Sequence, residues 1–98
     1  MTEKISLLIN DEPIQLDIFV AGFIERTVTG MATALRGIGE VNNLAVTIED
    51  DRVTVNVNDA PVPVNYFASK IIRNTITGMV SPLRGVSEVH RLRLTIPG

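Results

Sequence analysis

Apolar and polar residues alternate at Ile5, Leu7 and Ile9, and again at Val53, Val55 and Val57. Strict alternation puts one set of side chains on one face and predicts a half-buried strand. Each run ends in Asn-Asp, at Asn10-Asp11 and Asn58-Asp59. These residues form turns because their side chains bond nearby backbone and tolerate left-handed conformations. Ile14 and Leu16, then Val62 and Val64, predict short return strands. Pro61 and Pro63 flank Val62. Proline cannot donate to a ladder, so this return strand is expected at a sheet edge. Exposed edges of this kind are expected to accept another strand.

The period then changes. Phe19, Val20, Phe23, Ile24, Val28, Met31 and Leu35 recur in steps of three and four, as do Phe67, Ile71, Ile72, Ile76, Met79 and Leu83. Each set predicts an amphipathic helix with a wide buried face. Asp17 and Asn65 stand where an N-cap belongs. Gly37 and Gly85 supply a C-terminal stop, with Arg36 and Arg84 in the last turn, where cations suit the helix dipole. Pro82 would clash with the carbonyl of Gly78 inside a helix, so the second helix is expected to bend or tighten there. Alternation returns at Leu44, Val46 and Ile48, and at Leu92, Leu94 and Ile96. Only Glu49-Asp50-Asp51-Arg52 separates the third strand from the fourth, which predicts a hairpin.

The chain matches itself at a shift of 48 residues. Without a gap, 17 of 44 positions are identical between 5–48 and 53–96. Thr27-Val-Thr-Gly-Met faces Thr75-Ile-Thr-Gly-Met, and Leu35-Arg36-Gly37 faces Leu83-Arg84-Gly85. Such self-similarity marks duplication of a supersecondary unit. The unit reads strand–strand–helix–strand. At 98 residues the chain suits one domain, and one copy is too small to bury a core of its own. The expected fold is therefore α+β. Residues 1–98 form one pseudo-two-fold domain, with six mostly antiparallel strands in a shared sheet or open barrel and two long helices. Pairing of the third and fourth strands asks, by symmetry, that the sixth pair with the first.

Composition excludes more than it assigns. A net charge of −2 gives no case for nucleic acid, which favours a basic stripe. There is no cysteine and one histidine, His90, so zinc and thiol chemistry are not expected. No nucleophile constellation stands near His90. The acidic turns lack the spacing of a calcium loop. Met1–Ser6 lacks a signal-peptide layout, and no apolar run is long enough to span a membrane. A cytoplasmic location fits, with no cofactor.

A few residues ask for a reason. A glycine within a helix costs about 1 kcal/mol relative to alanine. Gly30 and Gly78 are therefore expected to mark close helix–helix or helix–sheet approach, or a ligand cradle. Arg36 with Glu40 and Arg84 with Glu88 predict local ion pairs, or else a symmetric anion site or a partner contact. Arg91 and Arg93 would share one face of the last strand, opposite Leu92 and Leu94. With Pro82 and His90 they are places where the second copy departs from the first.

The string Phe67-x-x-x-Ile71-Ile72-x-x-Thr75-Ile76-x-Gly78-Met79-Val80-Ser81-x-Leu83-Arg84-Gly85-Val86-x-Glu88-Val89 resembles an uncharacterised family of small prokaryotic proteins, found in archaea and anaerobic bacteria. Pro82 departs from the small residue usual in that motif. The resemblance implies no catalytic residue. The duplicated unit also resembles the halves of cradle-loop barrels. The expected function is non-enzymatic: a module that binds a protein partner or itself. The alternative is a small apolar ligand held between the helices and the sheet.

Overall fold

The Asn-Asp turns fix the start of the architecture. A computed structural model describes residues 5–35 and 37–97. In it Asn10 and Asp11 have φ of 51° and 69°, and Asn58 and Asp59 have 53° and 68°. Two successive left-handed residues match the twist of a tight hairpin. The first turn joins β1 (Ser6–Ile9) to β2 (Glu12–Pro13). After α1 (Ile18–Thr33) and β3 (Leu44–Glu49), the second joins β4 (Arg52–Val57) to β5 (Ala60–Val62). Then come α2 (Tyr66–Val80) and β6 (Arg91–Ile96).

The strands form one antiparallel sheet in the order β2-β1-β6-β3-β4-β5. The expected hairpin is present, with Glu49 opposite Arg52 and Asp50 at φ 52°. The sixth strand also pairs with the first, Leu7 facing Leu94. Between them, β3 and β6 form the centre of the sheet, with Val46 opposite Leu94. The sheet is open, with β2 and β5 at its edges, and so is not a barrel.

Both edges are shorter than the sequence pattern predicts, and both carry proline. The Ile14 N–H donates to the Leu7 carbonyl at 2.9 Å, so Pro13, opposite Leu8, points its nitrogen away from the sheet. Pro61 lies opposite Asn56 and has no N–H, so the ladder runs through its neighbours and its nitrogen also faces out. The outward donors that augmentation needs are missing at Pro13 and Pro61.

One face of the sheet carries the core. Leu7, Ile9, Leu44, Val46, Ile48, Val55, Val57, Leu92, Leu94 and Ile96 are buried against Ile24, Val28 and Ala32 of α1 and Ile72, Ile76 and Val80 of α2. The opposite face bears Ser6, Thr54, Arg91, Arg93 and Thr95, all exposed. Two layers and an uncovered sheet give a plate with extents of 36 × 34 × 18 Å.

Each helix starts as expected. The Asp17 carboxylate accepts the Val20 N–H, and the Asn65 side-chain oxygen accepts the Ala68 N–H, both at 2.8 Å. The ends differ from expectation. α2 stops at Val80, so Pro82 lies beyond the helix and bends nothing. The Gly78 carbonyl, which an internal proline would have displaced, accepts the Ser81 hydroxyl at 3.2 Å. Gly85, at φ +88°, and Gly37, at φ +83°, then turn the chain.

Candidate interaction surface

The helical layer has a second face, away from the sheet. Phe19, Phe23, Arg26, Gly30 and Thr33 follow one another in steps of four and three along α1, and all are exposed. Phe67, Ile71, Asn74, Gly78 and Ser81 do the same along α2. This spacing makes a straight seam on a helix, offset from the seam that meets the sheet. Its large members protrude into solvent. Phe19 is 75% exposed and Phe67 72%, each preceded by an exposed residue outside the seam, Ile18 at 87% and Tyr66 at 77%. Phe23 and Ile71 are about half exposed. Every aromatic residue of the chain is exposed and none lies in the core.

The placement of Phe19, Phe23, Phe67 and Ile71 corrects the sequence reading, which put them in the buried stripe. Apolar residues at 19, 20, 23 and 24 cover a wider arc than a flat sheet can bury. The sheet takes Ile24 and partly Val20, which leaves the phenylalanines outside.

Between the helices runs a shallow apolar groove of about 180 Å³. Met31, Ala34 and Leu35, at the end of α1, line it opposite Phe67, Ala68 and Ile71 at the start of α2. The ring pair Phe19–Phe23, 6.1 Å between centroids, stiffens the aromatic end of α1. On α2 the Lys70 ammonium lies 5.5 Å from the centroid of the Tyr66 ring. Arg73 ties α2 to the β3–β4 hairpin through the Asp50 carbonyl, at 2.7 Å.

Gly30 and Gly78 do not mark close approach within the chain. A Cβ built at either meets no atom within 4 Å, and both residues are exposed. The expected contact is therefore absent, because both glycines lie on the outer seam. Nor is the Arg84–Glu88 pair formed. α2 ends before Arg84, and the Glu88 carboxylate lies 3.4 Å from the His90 imidazole. Arg36, and with it the Arg36–Glu40 pair, lies outside the described residues. Arg91 and Arg93 share the open sheet face as expected, opposite buried Leu92 and Leu94. Arg91 bonds Asp11 at 2.7 Å and lies 3.4 Å from Glu49.

Those ion pairs border the largest cleft, about 940 Å³ at one end of the sheet. It is open to solvent and lined by Asn10, Asp11, the β3–β4 turn, His90 and Arg91. Among the described residues no group of three His, Cys, Asp or Glu is placed to hold a metal ion. A gap between helices and sheet, bounded by Val28, Leu44, Val55 and Ile72, holds about 10 Å³. Ligand sites occupy several hundred cubic ångströms, so this gap is too small for one.

Sequence reading also missed the asparagine side chains. The Asn10 Oδ1 accepts the backbone N–H groups of His90 and Arg91, both at 2.9 Å, while its Nδ2 donates to the Glu88 carbonyl at 2.6 Å. The partners lie about eighty residues away, and turn propensity carries no signal for them. No protein-family model, curated protein or solved structure matches this chain. Among the described residues no helix is long and apolar enough to cross a membrane.

Proposed function

We propose that this protein is a non-enzymatic interaction module whose outer helical face is its binding surface. The observation that carries this reading is the exposure of Phe19, Phe23, Phe67 and Ile71 along the outer seams of the two helices. Contiguous apolar surface is rarely left open on a monomer, and aromatic residues are enriched where proteins meet. The alternative, an apolar ligand between helices and sheet, finds no room in a gap of about 10 Å³. The proposal includes a cytoplasmic setting and a kinship with the small prokaryotic proteins that the Thr-x-Thr-Gly-Met motif resembles.

The scaffold of this module, in the same proposal, is a tandem duplication with pseudo-two-fold symmetry. Three observations support that. The strand order reads the same from either edge once residues 48 apart are exchanged. The central register obeys the same exchange, since Leu44 faces Ile96 and Ile48 faces Leu92. Asn58 bonds Glu40, Asn42 and Asn43 as Asn10 bonds Glu88, His90 and Arg91. Two binding seams on one face then follow from one ancestral helix.

The test is a pair of substitutions, Phe19→Ser and Phe67→Ser, made together. They leave the fold intact by circular dichroism and remove the binding of a hydrophobic dye, or of a partner, that the parent protein shows. Unchanged dye binding and association would sink the reading.

A further inference from the structure

We infer that the occupant of this face is a second copy of the chain, packed helix layer to helix layer, with Phe23 over the partner copy's Gly78 and Ile71 over its Gly30. The inference rests on the interaction-face reading above and names its partner. Two observations with no explanation inside one chain explain each other. The seams carry bulky residues in their N-terminal halves that protrude into solvent. They carry glycines in their C-terminal halves, with open space where a Cβ would be. Along each helix the distance from Phe19 to Gly30, or from Phe67 to Gly78, is eleven residues, about 16 Å. Two such seams laid antiparallel bring a bulky half against a bare half at both ends at once. A surface that holds its own complement in this way suits a two-fold, isologous contact.

Charge chooses between the two antiparallel pairings. Laying α1 on α1 would place Arg26, at the middle of the seam, against another Arg26. Laying α1 on the other copy's α2 places Arg26 opposite Asn74, whose amide oxygen can accept from the guanidinium. In that register Phe19 meets Ser81 and Phe67 meets Thr33, both small. The broad side of the plate measures 36 × 34 Å, and the contact asked of it is that of a standard interface, about 800 Å² from each partner. The groove between α1 and α2 is closed in the same step.

Sedimentation equilibrium of the full chain tests this, with circular dichroism as the control for folding. The expected species has twice the 10.7 kDa of the chain. Gly30→Leu and Gly78→Leu point into open space, so each variant stays folded, and each raises the dimer dissociation constant about tenfold or more by filling the hole. Adding Phe23→Ala to Gly78→Leu restores association. A dimer indifferent to both glycine variants uses another surface and overturns the inference. A monomer at every concentration that still binds a hydrophobic dye through Phe19 and Phe67 also overturns it, yet leaves the interaction face standing. A monomer that binds no dye removes both.

Discussion

The side chain of Asn58 holds the backbone of Asn42: its Oδ1 accepts the Asn42 N–H at 2.7 Å, across a gap of sixteen residues. The same oxygen accepts from Asn43 at 3.1 Å, and Nδ2 donates to the Glu40 carbonyl at 2.9 Å. One turn residue therefore docks the whole approach to β3. Its left-handed backbone, φ 53°, is what aims the amide there. Asn58→Ala is expected to cost about 2 kcal/mol, since it loses these bonds and strains φ. Asn58→Gly relieves the strain and keeps the loss, so it costs less. Urea denaturation of the two variants separates the terms, and equal costs would show that φ contributes nothing.

Asp59 follows in the same turn at φ 68°, with no ion pair to anchor it among the described residues. Glycine adopts this conformation without a Cβ penalty. Asp59→Gly is expected to stabilise the protein by about 0.5–1 kcal/mol, read as a raised melting temperature. Asp11→Gly gains less, because the Asp11 carboxylate bonds Arg91 at 2.7 Å.

Ile76 and Phe67 sit on the same helix and behave oppositely. Ile76 is 0% exposed and packs between α2 and the sheet. Ile76→Ala is expected to cost about 3 kcal/mol by leaving a cavity. Phe67→Ser touches no core contact and changes the intrinsic stability of the fold by less than about 0.5 kcal/mol. Chemical denaturation at the lowest workable concentration checks both, since any association would add to the stability of the parent.

The prolines of the edges give a prediction about aggregation. Pro61→Val with Pro63→Thr restores N–H groups to β5 and to the residue just after it, and is expected to accelerate fibril formation, followed by thioflavin fluorescence. The parent protein stays clear under the same conditions. Equal kinetics would mean that edge length, not proline, protects the sheet.

The strands were readable because their apolar residues alternate, and the β1–β6 pairing because a four-residue link forces the β3–β4 hairpin. The N-caps Asp17 and Asn65 were readable from local chemistry alone. Periodicity could not assign Phe19 and Phe67, since a helix that buries one apolar face and exposes a second reads as apolar on both. Gly30 and Gly78 drew attention for the right energetic reason, but the helix phase that turns them outward comes only from the packed structure. Pro82 looked disruptive because sequence does not say that the last helical hydrogen bond falls at Ser81. The clamps of Asn10 and Asn58 join segments that only the folded sheet brings together.

The outward-facing nitrogens of Pro13 and Pro61 bear on what kind of assembly this plate can enter. A sheet with bare edges grows sideways without limit, one molecule recruiting the next. Here each edge lacks an outward donor at its proline, and the apolar helical seams lie on one broad side only. Contact through that side consumes it, so growth has a natural end. Such a molecule can adhere strongly and still remain a countable particle rather than a fibre.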